Sequence, residues 1–245
     1  MNNLEEIITS SSVTVLILAT VLLLVLAGIS LKLKKLTNLT KKVLYIAICL
    51  SVLVPTLYLA IATIYLNNVS SSKGPVHWHA DIEIWACGKE LDLKDPTGWS
   101  NKIGTPTLHE HNDKRIHLEG VVLTPADASL GKFFRVIGGG ISPTALTVPT
   151  TTGDIAVSNG MTCLTDGRTS DVQVFVYQTD KDNYFSQKKV ADPASYIMSP
   201  QSAVPAGDCI IVEFDSPKER TDKLCRSYRV AEQIGKLKGE KTNEY

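Results

Sequence analysis

The chain has 245 residues, 44% of them hydrophobic, with 25 basic and 25 acidic side chains and a formal net charge of zero. That balance argues against a nucleic-acid binder, which needs a basic stripe to neutralise phosphates. Its 16 glycines and 11 prolines are ordinary numbers, which excludes a collagen-like or wholly disordered chain. The distribution is lopsided, however. The strongest apolar runs lie in the first quarter, and all five histidines follow in one short stretch.

In chain order, residues 13–31 and 43–66 are two uncharged apolar runs. A hydrocarbon core about 30 Å thick requires about 20 helical residues, and both runs meet that length. Neither shows the polar face expected of a long core helix. Pro55 is expected to kink the second, which a neighbouring helix can accommodate. Cys49 and tyrosines are the only ionisable groups within them, so these helices predict an anchor and no ion pathway. The connector, residues 32–42, carries Lys32, Lys34, Lys35, Lys41 and Lys42, whereas residues 1–12 hold Glu5 and Glu6 and no basic side chain. The positive-inside rule therefore places the connector in the cytoplasm and both termini outside it. The acidic start also argues against a cleavable signal peptide. A glycosylation sequon, Asn68-Val69-Ser70, lies beside the second run and matters only in a eukaryotic host.

Residues 67–74 form a polar linker, and beyond it the pattern changes to short alternating runs. Over residues 77–85, Ile82 and Ile84 oppose His79, Asp81 and Glu83; over 115–123, Ile116 and Leu118 oppose His117 and Glu119. Residues 133–137, 145–148, 172–178 and 209–214 are further candidate strands, and 129–134 is alternatively a short helix. Turns at Gly138-Gly139-Gly140 and Pro205-Ala206-Gly207-Asp208 separate them. The expected fold is thus a two-helix transmembrane hairpin plus a mostly antiparallel β domain, a sandwich or small barrel, over residues 75–216. Four cysteines fall there or just after it, Cys87, Cys163, Cys209 and Cys225, enough for two disulfides in an oxidising compartment, with three pairings open. The remainder, 217–245, reads as a C-terminal helix and flexible tail. Ser216-Pro217-Lys218-Glu219 has the form of a capping box. Leu224, Tyr228, Ala231 and Ile234 follow at helical spacing, so a helix is predicted over 217–234, with disorder from Lys236 onward.

His77, His79, His109, His111 and His117 all lie within 41 positions. Residues two apart on a strand share a side about 6.6 Å apart, so each H-x-H pair, His77/His79 and His109/His111, can present both rings to one ion. His117 offers a third approach. The clustering predicts a metal site of these five histidines; a pH-responsive patch and hydrogen-bonded structural histidines are the competing readings. Imidazole ligands suit zinc or copper and disfavour calcium or magnesium. Asp81, Glu83, Glu110, Asp113 and Glu119 are the acids placed to orient the rings from behind. With Met161 and Met198 the only methionines beyond the apolar runs, no Met-rich Cu(I) site is indicated.

The succession His77-Trp78-His79-Ala80-Asp81-Ile82, Leu108-His109-Glu110-His111-Asn112-Asp113, Ile116-His117-Leu118-Glu119 and Ser129-Leu130-Gly131-Lys132-Phe133-Phe134 resembles a family of uncharacterised prokaryotic proteins, membrane-anchored or secreted. The resemblance extends more loosely to Asp192-Pro193-Ala194-Ser195-Tyr196 and Gly207-Asp208. It implies a compact metal-site domain outside the membrane and carries no activity with it.

The leading expectation is an anchored extracytoplasmic domain that captures or senses copper or zinc; the bilayer and the ion are its partners, and no nucleic acid is expected. The chain has no G-x-S-x-G, H-E-x-x-H or P-loop. A zinc-dependent hydrolase or hydratase is the alternative: its ligands resemble the H-x-H strand arrangement of the alpha-type carbonic anhydrases, with Glu110 or Glu119 as base. A structural envelope protein whose metal staples the sheet is the third reading.

Overall fold

The computed structural model describes residues 4–33, 35–163, 167–199 and 207–241. Lys34 of the basic connector and Pro205-Ala206 of the expected turn lie outside the described residues, as does the tail from 242 onward. The chain divides into two compact units, Met1–Gly74 and Pro75–Tyr245.

In the first unit α1 (Leu4–Lys32) packs against α2 (Asn38–Val69). Thr37 caps α2, its hydroxyl accepting the Thr40 N–H at 3.1 Å. The helix therefore begins ahead of its uncharged run. It also continues through Val69, into the segment expected to be a linker, and ends where the Ser70 N–H donates to the Leu66 carbonyl. Large apolar side chains such as Leu18, Leu24, Leu31, Ile61 and Ile64 point outward. The hydroxyls of Thr14, Thr20, Ser51, Thr56 and Thr63 donate to the carbonyl one turn back, which leaves few unpaired polar groups on this apolar surface. Both helices are long and apolar enough to cross a membrane.

The second unit is built on a mixed, mostly antiparallel sheet. Its strands are β1 (Pro75–Ala86), β2 (Lys89–Leu91), β3 (Ile103–Gly104), β4 (Leu108–Glu110), β5 (Arg115–Val121), β9 (Met161–Thr162), β10 (Thr169–Thr179), β11 (Phe185–Val190) and β12 (Cys209–Asp215). Their order is β11-β10-β12-β1-β5-β4-β3, with β2 on β1 and β9 on β10. The β1–β12 pair is parallel and the other pairs are antiparallel. A smaller sheet, β6 (Gly140–Ile141), β7 (Ala145–Thr150) and β8 (Gly153–Ser158), and the helix α3 (Leu130–Val136) close one face of the large sheet.

Alternation places Ala80, Ile82 and Ile84 of β1, Ile116 and Leu118 of β5, and Ile210 and Val212 of β12 in that shared core with Phe133, Phe134, Leu146 and Val148. The opposite face presents Phe175, Tyr177 and Ile211 to α4 (Arg226–Gln233), whose Tyr228 and Ala231 are buried against it. The disulfides are Cys87–Cys163 and Cys209–Cys225; the second ties β12 to the residue that opens α4.

Three sequence expectations need correction. Residues 133–137 do not form a strand: they belong largely to α3, which Ser129 starts by accepting the Lys132 N–H at 3.1 Å. The C-terminal helix spans Arg226–Gln233 and not 217–234. The capping box is overridden by long-range partners: the Lys218 and Thr221 N–H groups each donate over 2.8 Å to side-chain carbonyls, of Gln173 and Gln187 respectively. The segment thus runs over β10 and β11, where Lys218 and Lys223 approach the buried Glu213 carboxylate at 3.0 and 3.6 Å. The start of the tail is ordered too, since Leu237 is buried and the Lys241 N–H donates to the Phe185 carbonyl at 2.7 Å.

Candidate metal centre

Strand register assembles the histidines. On β1, His77 pairs with Glu119 of β5 and His79 pairs with His117; on β4, His109 also pairs with His117. His79, His117 and His109 therefore form a row across three adjacent strands, all on the face opposite the main core. The ring centroids are 4.7 Å apart for His79 and His117, and 5.5 Å for the stacked pair His109 and His117. His77 flanks the row at one end, its Nε2 3.0 Å from Nε2 of His79. Two nitrogens on a tetrahedral zinc stand about 3.3 Å apart, given bonds of 2.0–2.1 Å. His111, just past β4, closes the other end with ring centroids 4.7 Å from His109 and 4.8 Å from His117.

The hydrogen bonds behind the rings orient them. The His111 Nδ1–H donates to the Asn101 carbonyl at 2.5 Å, which leaves Nε2 with the lone pair. His117 Nε2 lies 3.0 Å from Asp113 Oδ2. His109 is 1% exposed, yet its Nδ1 has no hydrogen-bond partner among the described residues. An unpaired buried nitrogen is costly unless something else engages it. Burial, reinforced by the His117 and His77 rings, holds the His79 imidazole below its ordinary pKa. Burial, with Lys102 and His111 adding to it, does the same to His109. Both effects favour neutral imidazole, the form that ligates metals.

Of the five acids expected to support the rings, two border the cluster. Glu119 Oε1 lies 3.3 Å from His77 Nε2, and Asp113 contacts His117. The other three do not. Asp81 and Glu83 share the histidine face of β1, as alternation requires, but α4 docks there. Asp81 accepts from Arg115 Nε at 2.7 Å and from the Ser227 hydroxyl; Glu83 accepts from the Arg226 N–H at 2.9 Å and from Arg229. Glu110 follows His109 on β4 and faces away from it. Its Oε1 accepts the Asp113 and Lys114 N–H groups at 2.7 and 3.1 Å, so it shapes the turn that presents Asp113.

Three supporting residues escaped the sequence reading. Asn101 acts through a backbone carbonyl, for which no side-chain signature exists. Gly104 (φ +110°) lies against His109: a Cβ there would sit 2.5 Å from the Leu108 carbonyl and 3.3 Å from His109 Cβ. Gly207 (φ +93°) lies behind β1, where a Cβ would fall on the His79 carbonyl. Gly207 was legible only as a turn residue, and Gly104 carried no signal at all. A separate cavity of about 860 Å³ opens beside α4, lined by Asp81, Glu83, Arg115 and Arg229 among others and by none of the histidines.

These rings form two groups that could hold a metal ion, His77/His79/His117 and His109/His111/His117, with all donor atoms of each group within 4.8 Å of one another. No known protein-family profile, curated protein or solved structure matches the chain.

Proposed function

We propose that this protein is a membrane-anchored, extracytoplasmic metal-binding protein that captures or senses copper(II) or zinc through its histidine cluster. One observation carries the reading: strand register brings five imidazoles from three strands and an adjoining turn together, in two groups that could hold a metal ion. Their donor type selects borderline transition metals over calcium and magnesium. Two disulfides and the lysine-rich connector support placement of the second unit outside the cytoplasm.

A hydrolytic or hydrating use of the site has less to draw on. A bound zinc would supply Lewis acidity there. Of the two acids expected to act as a base, Glu119 borders the cluster and Glu110 is turned away.

The test uses the full chain in detergent micelles or nanodiscs. Isothermal titration with zinc or copper(II), with bound metal counted by elemental analysis, should show stoichiometric uptake that weakens below about pH 6 as imidazoles protonate. Replacing His77, His79, His109 and His111 together by Ala should abolish it. Uptake that is absent, or unchanged in that variant, would remove the reading. Protease added to intact cells should cleave the second unit while sparing the lysine-rich connector; the reverse pattern would invert the topology.

A further inference from the structure

We infer that the cluster is a two-ion centre, with a second transition-metal seat beside the first and the Glu119 carboxylate lying across both. The inference rests on the metal-binding reading above and deepens it. The five donors do not form one set: His77, His79 and His117 are one group, His109, His111 and His117 the other, and His117 alone is common to both. Two nitrogens bound to one ion stand no more than about 4.2 Å apart even in trans positions, twice the usual bond length. A single ion engaging the first group therefore leaves His109 and His111 over.

Glu119 supplies the second, independent observation. One oxygen, Oε1, lies 3.3 Å from His77 Nε2 of the first group, and the other, Oε2, lies 3.9 Å from His109 Nε2 of the second. A carboxylate shared between two ions places one oxygen on each. Charge points the same way. Neutral imidazoles contribute none, so a pair of divalent cations needs anions close by, and among the described residues Glu119 and Asp113 are the carboxylates that touch the rings. Mixed imidazole and carboxylate donors suit zinc(II), copper(II) or cobalt(II).

The deciding measurement is the number of ions per chain. Full-length protein in nanodiscs is stripped with chelator, loaded separately with zinc(II) and copper(II), freed of unbound metal and analysed for metal content. The wild type should retain two ions per chain. Glu119→Gln should retain one firmly and bind the second at least about tenfold more weakly. His77→Ala and His111→Ala should each retain one; both positions lie at the ends of the row, and circular dichroism reports whether each variant folds. In the copper(II)-loaded wild type, spin coupling between neighbouring ions should depress the electron paramagnetic resonance intensity per copper, and Glu119→Gln should restore it. Saturation of the wild type at one ion per chain, with full intensity, overturns the two-ion inference and leaves the metal-binding reading intact. Retention of no ion overturns both.

Discussion

The side chains that border the cluster do so for different physical reasons, and each makes a separate prediction. Asp113 reaches His117 from a turn in which Asn112 and Lys114 both adopt positive φ, of 63° and 59°, and in which Glu110 accepts two backbone N–H groups. Its carboxylate polarises and aims a ring. Asp113→Asn keeps the shape and removes the charge, so metal affinity should fall about 10- to 100-fold in a competition titration while the metal-free melting temperature barely moves. His79 and His109 predict a pH effect. Both titrate below the ordinary 6.5 in the folded chain, so on acidification the unfolded chain takes up protons first. Their contribution to metal-free stability is full above about pH 6.5 and is lost as the pH falls below it. His79→Gln should flatten that decline. Equal losses of melting temperature between about pH 7 and pH 5.5 in variant and wild type would show that His79 plays no part.

At the level of elements, β1 is where fold and site meet. One face of the strand enters the main core through Ala80, Ile82 and Ile84; the other carries His77 and His79 and, further along, Asp81 and Glu83 beneath α4. The start of β12 backs this strand closely. The Asp81 N–H donates to the Asp208 carbonyl at 2.8 Å, and Gly207 packs where no Cβ fits. Asp208 itself is wholly buried and accepts from the Tyr196 hydroxyl at 2.6 Å, from Gln178 at 3.1 Å and from the Ser199 N–H at 2.8 Å. Gly207→Ala adds both a clash and an unfavourable φ, and should cost about 3 kcal/mol in denaturant unfolding. It should also weaken metal binding, since the atom displaced is the His79 carbonyl. A variant with wild-type stability would contradict the close approach. Elements also show where local sequence signals mislead. The residues of α3 read equally as strand or helix because a short apolar run has no decisive period. At Ser216-Pro217-Lys218-Glu219 a sound local cap lost to the amides of Gln173 and Gln187, which lie more than 25 residues earlier in the chain.

At the scale of the whole molecule, the two units differ in character. The helix pair has an apolar surface long enough to cross a membrane, and the sheet unit carries the histidine groups that could hold a metal ion. A metal that binds only the folded unit stabilises it. At a free concentration 100 times Kd the gain is about 2.7 kcal/mol, or roughly 5–10 °C for a domain of this size. Chelation should reverse the shift, and calorimetry of stripped and zinc-loaded protein measures it. No shift at saturation would mean that the ion binds folded and unfolded chains alike.

The sequence by itself determined the periodic and compositional features: two apolar spans, the asymmetry of lysines around them, the alternation of β1 and β5, and the gathering of five histidines within one stretch. These are local properties, carried by residues a few positions apart and enforced by bilayer thickness or the two-residue repeat of a strand. Only the tertiary structure decided the pairing of Cys87 with Cys163 and of Cys209 with Cys225. It alone separated Asp113 and Glu119 from Asp81, Glu83 and Glu110 as neighbours of the rings, and it divided the histidines into two groups that share His117. The reason is that sheet register and helix docking are long-range. Which acid reaches which ring depends on the strand that lies alongside and on what covers the face, and neither is written in the spacing along one strand.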